Sequence, residues 1–114
     1  RPDEDAQRAT AVRAILRYAR GSVCPVIGLA PEGGDFAAPG EVAELPSGVG
    51  RLILHLSGMG LALLPVAAYE ADERLCLRFG QAYQLGAPQG GSPRERDVWA
   101  RQVVRNGIQE LLIR

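Results

Sequence analysis

Lysine is absent from the 114 residues: all 13 basic residues are arginine, and 13 Asp and Glu balance them to a formal net charge of zero. A neutral chain lacks the clustered positive surface that offsets nucleic-acid phosphates, so nucleic acid is not an expected partner. The exclusive use of arginine reads first as the codon bias of a GC-rich genome and only second as a preference for bidentate anion contacts. Histidine occurs once, at His55, and cysteine twice, at Cys24 and Cys76, with no C-x-x-C spacing. That inventory assembles neither a zinc site nor a Cys–His nucleophile, and no metal is expected. The two thiols read as buried groups in a reducing compartment, with one disulfide as the alternative. The longest apolar run, Leu61 to Tyr69, is less than half the roughly twenty residues a membrane-crossing helix needs. No signal-peptide pattern opens the chain, and the start at Arg1 without an initiator Met reads as a cut. With 46% hydrophobic and 23% charged residues, the composition is that of an ordinary globular chain and excludes disorder. Its length allows at most one domain.

The elements follow from periodicity and punctuation. Asp3, Glu4 and Asp5 suit the positive end of a helix dipole, and Ala6, Ala9, Val12, Ile15, Leu16 and Ala19 continue a helical stripe, so residues 3–20 are predicted to form an amphipathic helix. Gly21 ends it. Val23 to Leu29 is a short, continuously apolar run, the pattern of a strand buried on both faces, although Pro25 cannot donate to a ladder. Periodicity disappears from Ala30 to Pro46, where Pro and Gly dominate, and a loop of this length is commonly functional. Ser47 is placed to cap a second helix carrying Val49, Leu52, Ile53 and Leu56, ended by Gly58 and Gly60. Leu61 to Ala68 is a second buried-strand candidate. Arg74 to Phe79 alternates polar and apolar, as a strand with one solvated face does, and is placed antiparallel at an edge. Ser92-Pro93-Arg94-Glu95 is a capping box with proline at the first helical position. It starts a last helix running to about residue 113, with Val98, Trp99, Gln102, Val103, Ile108, Leu111 and Leu112 as one stripe and Gly107 a weak point inside it. Helices alternating with strands predict an α/β fold, a partial and mainly parallel sheet flanked by helices. Three strands make a thin sheet, which implies missing neighbours and sheet edges open to self-association.

Chemistry is expected where the first strand runs into the long loop, because open α/β sheets place ligands at the carboxyl ends of their strands. There Pro31 directs the chain, Glu32 offers a carboxylate, and Gly33 with Gly34 lets backbone N–H groups approach an anion closely. Arg51, near the start of the second helix, can add its charge to the helix dipole and hold an anion. The competing reading is a Pro-Gly turn with solvated acids and a surface arginine.

The stretch Gly28-Leu29-Ala30-Pro31-Glu32-Gly33 resembles the F-P-E-G-T-R block of the phospholipid/glycerol acyltransferase family, of the lysophosphatidic acid acyltransferase type. The flanks fall in the family's order: an Ala-rich charged helix before it, then Ser47-Gly48-Val49-Gly50-Arg51-Leu52, then Leu64-Pro65-Val66-Ala67, then the strand to Gly80 with Gln81-Ala82-Tyr83. The resemblance covers roughly residues 1–85. It implies that residues 1–114 are the C-terminal portion of a single acyltransferase-like α/β domain, half of the family's fold. It implies acyl transfer from acyl-CoA or acyl-carrier protein, as cosubstrate rather than bound cofactor, to a lysophospholipid or glycerol-phosphate-like acceptor, in the cytoplasm or peripherally at the membrane. Pro31, Glu32, Gly33 and Arg51 would then bind the acceptor. The family's catalytic H-x-x-x-x-D is not in this sequence: five residues after His55 stands Gly60, and His55 reads as structural or solvent-facing. No catalytic residue is therefore assigned, and residues 1–114 alone should be inactive. Ala30, Gly34 and Asp35 depart from the family's aromatic, Thr and Arg, and Asp35 puts an anion where a phosphate-compatible cation is usual. The alternative is a non-catalytic α/β binding or regulatory module derived from that fold.

Overall fold

The computed structural model describes residues 2–29, 42–86 and 90–112, with side chains from Ala6 onward in the first helix. Among these residues three helices and one hairpin form: α1 (Pro2–Gly21), α2 (Val49–Gly58), β1 (Val66–Ala71), β2 (Arg74–Phe79) and α3 (Pro93–Leu112).

The mainly parallel, helix-flanked α/β sheet expected from the element order is not what forms. The sheet among the described residues has two strands, β1 and β2, paired antiparallel from Val66↔Phe79 to Ala71↔Arg74. The reason is local. Asp72 and Glu73, the two residues between the strands, both take positive φ (52° and 63°), the twist of a type I′ turn, and this closes the hairpin with little loop entropy. A parallel partner would require a long crossover. Val23 to Leu29, expected to be a buried strand, joins no ladder, and Val23 and Val26 stand in solvent. Pro25 has no N–H to give, and the amide of Val26 donates instead to the Tyr18 hydroxyl, 3.1 Å away. Beyond the hairpin proper, Leu63 and Tyr83 exchange both backbone hydrogen bonds as an isolated bridge.

The hydrophobic cluster lies between α2, α3 and β1. Ile53 from α2, Ala67 from β1, and Ala100, Val104, Ile108 and Leu111 from α3 are buried together with Val42, Leu45 and Leu85. The α3 members recur every three or four residues, as the 3.6-residue period requires, and Trp99 and Val103 pack at the margin. The Ser92 hydroxyl accepts from the Glu95 amide at 3.2 Å and donates to the Glu95 carboxylate, so Ser92 caps α3 as expected, through its side chain. α1 packs against α2, with Ala19 buried.

β2 turns its faces the opposite way from the amphipathic expectation. Leu75, Leu77 and Phe79 point outward, while Arg78 lies opposite buried Ala67, stacks on the Tyr69 ring with its guanidinium 4.8 Å from the centroid, and donates to the Leu111 carbonyl in the last turn of α3. A cation at a helix C-terminus is favourable, and the stack shields the long side chain. The cysteines are likewise not buried: Cys24 is exposed, Cys76 half-buried, and both are free thiols.

Candidate functional site

Of the four residues expected to bind substrate, Pro31, Glu32 and Gly33 lie outside the described residues. Arg51 is in the first turn of α2, its side chain exposed. The anion site expected at that helix start is occupied from within. The carboxylate of Asp97, on α3, accepts from the Gly48 amide through Oδ2 and from the Arg51 amide through Oδ1, each at 3.1 Å. Ser47, the expected cap, makes no such bond, and Gly48 is the N-cap with φ 94°. Asp97 is 3% exposed, so α2 has its dipole partner inside the fold. The Arg51 guanidinium remains available to solvent.

The same contact explains two glycines of the Ser47-Gly48-Val49-Gly50-Arg51 stretch. Gly48 supplies the left-handed backbone that turns the chain into the helix. Gly50 lets α2 lie against α3: a Cβ there would stand 2.2 Å from the Asp97 carbonyl oxygen and 2.7 Å from Oδ1.

Asp97 begins a polar row along α3. Arg101 is ion-paired to Asp97 at 3.2 Å and donates through Nη1 to the Leu45 carbonyl at 3.0 Å. Arg105 donates to the Val42 carbonyl at 3.0 Å, and Gln109 accepts from the Val42 amide at 2.7 Å. Residues 97, 101, 105 and 109 are one turn apart, so they form a ladder against which residues 42–51 run antiparallel. The ladder satisfies backbone groups of a buried, irregular segment that secondary structure does not. Its signal in the sequence is the i, i+4 spacing of polar residues, which a solvated helix face shares. What it does for a site is anchor the residues that follow Glu32 in the chain, from Val42 into α2.

His55 is exposed, and the Arg20 guanidinium lies 3.5 Å from its Nε2, which can only accept from it. The structural or solvent-facing reading of this histidine agrees with that position. Arg20 also lines, with Arg13, Leu16 and Arg17, a depression of about 450 Å³ on α1. From Ala6 to Gly21 this helix holds four arginines and no acid, so the face suits an anionic group. The described residues contain no group of three metal-ligating side chains. Tyr83 is raised above its ordinary 10.0 by burial. No helix among the described residues is long and apolar enough to cross a membrane.

No family model, no curated protein and no solved structure matches this chain.

Proposed function

We propose that this chain is the acceptor-binding part of an acyltransferase, acting on an acyl thioester of CoA or acyl-carrier protein and a lysophospholipid or related lipid acceptor. The observation that carries the reading is the order of four motifs along one chain: Gly28 to Gly33, Ser47 to Leu52, Leu64 to Ala67, and Arg74 to Gly80. Two structural facts support it. The ladder on α3 holds residues 42–51, which follow Pro31, Glu32 and Gly33 in the chain, in one place, as a rigid scaffold beside a binding site requires. The arginine face of α1 matches the negative charge of phosphate-bearing donors and acceptors. In this reading Glu32 orients the acceptor, Gly33 brings a backbone N–H close to it, and Arg51 contributes charge. The acceptor hydroxyl is deprotonated by a histidine paired to an aspartate, supplied from outside residues 1–114. Contact with the membrane is peripheral.

Two measurements test this. The complete reading frame that encodes this chain is translated and assayed for acyl-CoA thioester cleavage, with and without Glu32→Ala. An upstream H-x-x-x-x-D, activity of the complete protein, inactivity of residues 1–114 alone and a raised acceptor KM in the variant are the expected results. An active protein whose KM and kcat ignore the substitution removes Glu32 from the site. A frame without the His–Asp motif and without thioester cleavage leaves the non-catalytic binding module.

A further inference from the structure

α1 gathers charge of one sign on one side. Arg13, Leu16, Arg17 and Arg20 are spaced i, i+3, i+4 and i+7, which at about 100° per residue keeps them within an arc of roughly 100°, and together they line the depression of about 450 Å³. The three arginines are exposed and Leu16 is half-buried. Like charges one turn apart repel, and no carboxylate among the described residues pairs with these three. Arg13 donates to the Thr10 hydroxyl at 3.3 Å, and Arg20 stands against His55 of α2. Arg20 has a structural reason for its place, since it lies in the last turn of the helix, where a cation meets the dipole. Arg17 and Arg13, one and two turns earlier, have no such reason. Codon bias accounts for arginine in place of lysine but not for the segregation of sign: the chain holds as many acids as arginines, yet none from Ala6 to Gly21.

We propose that this depression is a binding site for a phosphate ester, with the phosphate held among Arg13, Arg17 and Arg20 and the carbon skeleton of the ester lying on Leu16. The donor set selects phosphate over a carboxylate. Three guanidinium forks offer more N–H groups than the two oxygens of a carboxylate accept, whereas a phosphate monoester brings three terminal oxygens and close to two negative charges. An anion of that charge also relieves the repulsion among the three cations. The depression has the volume of a small-molecule site, more than a phosphate alone fills, which leaves room for the rest of the ester. Its arginines face water, so binding weakens as salt rises. A lipid headgroup and a soluble phosphoester both present this group. The acyltransferase reading draws on the same charge, but the site goes beyond it and stands whether or not the complete protein transfers acyl groups.

The test is NMR of the isotope-labelled 114-residue chain, following the Nε–Hε resonances of its arginines as inorganic phosphate is added, against sodium chloride at matched ionic strength. Arg13, Arg17 and Arg20 should shift and saturate with phosphate and not with chloride, while Arg8, about 140° round the helix from Arg13, stays put. Arg13→Gln and Arg17→Gln, which keep helix propensity, should each weaken binding about tenfold with unchanged far-UV circular dichroism, and Arg8→Gln should leave it as it is. Co-sedimentation with vesicles of phosphatidylcholine, alone or with an equal part of phosphatidic acid, separates the sources. Pelleting with phosphatidic acid only, lost in Arg17→Gln, supports the site with a lipid headgroup as its ligand; saturable phosphate binding without pelleting supports it with a soluble phosphoester. The proposal is overturned if the three resonances answer phosphate and chloride alike and the chain does not pellet, or if Arg8→Gln weakens binding as much as Arg17→Gln. Neither readout involves thioester cleavage, so failure of the acyltransferase reading would leave them unchanged.

Discussion

Replacing Asp97 by alanine should be among the most damaging single changes outside the apolar core. The side chain is buried and accepts two amide hydrogen bonds across a helix–helix contact, and bonds to a charged group are worth roughly 1.5–3 kcal/mol each. Those bonds are also the cap of α2, so the ~1 kcal/mol typical of a lost cap is contained in them and is not added. Alanine leaves the Gly48 and Arg51 amides with no acceptor and takes from Arg101 its ion-pair partner. Arg101 keeps the Leu45 carbonyl. Taken together these give about 3 kcal/mol for Asp97→Ala, using the lower end of the range because the bonds share one carboxylate. Asp97→Asn keeps one acceptor oxygen and should cost about 2 kcal/mol. The comparison is Ser92→Ala, which removes an exposed cap of α3 and should cost about 1 kcal/mol. Urea unfolding followed by far-UV circular dichroism reads all three as falls in midpoint at constant m-value. If Asp97→Ala costs no more than Ser92→Ala, the carboxylate is not what joins α2 to α3, and the account of this contact fails.

The same substitution should act with opposite sign at two glycines: Gly50→Ala drives a Cβ into the Asp97 backbone and should destabilise by at least 2 kcal/mol or so, as overpacking does. Gly107→Ala, whose Cβ meets only the Tyr83 hydroxyl at 3.8 Å, should stabilise α3 by about 0.5–1 kcal/mol through helix propensity; thermal unfolding separates the two. Gln109→Ala should leave the Val42 amide without its partner and raise its hydrogen-exchange rate roughly tenfold relative to core amides of α3; unchanged protection would remove Gln109 from the ladder. Burial raises the Tyr83 hydroxyl above 10.0, so the unfolded chain ionises first as pH climbs. Its contribution is whole below pH 10 and is lost as pH rises through the folded value. Urea midpoints on either side of pH 10 should therefore fall less in Tyr83→Phe than in the wild type.

Helices were legible because each carried its own signals. The acidic start and Gly21 stop of α1, the Ser92 capping box of α3 and the apolar spacing of Val49, Leu52, Ile53 and Leu56 in α2 are local, and each helix stands within a residue or two of its expected bounds. The antiparallel course of residues 74–79 was legible and holds, but which segments would pair was not, because pairing is a competition between segments. Residues 66–71 closed on 74–79 through Asp72-Glu73, a pair without the Asn-Gly signature, and Val23 to Leu29 was left without a ladder. For the site, the residues that the family resemblance singled out, Pro31, Glu32 and Gly33, lie outside the described residues, while the polar row from Asp97 to Gln109 could not be distinguished from a solvated helix face.

By itself, then, the order of amino acids determined where the chain coils, where it breaks, and that it has neither metal-ligand spacing nor a helix-length membrane span. Tertiary structure decided which face of each element is inside. Arg78 and Asp97 go inward, while Leu75, Leu77 and Phe79 go outward. Periodicity establishes that an element has two faces, but only packing against a particular neighbour chooses between them: a charged side chain enters when backbone groups there need a donor or acceptor, and an apolar one stays out when nothing arrives to cover it.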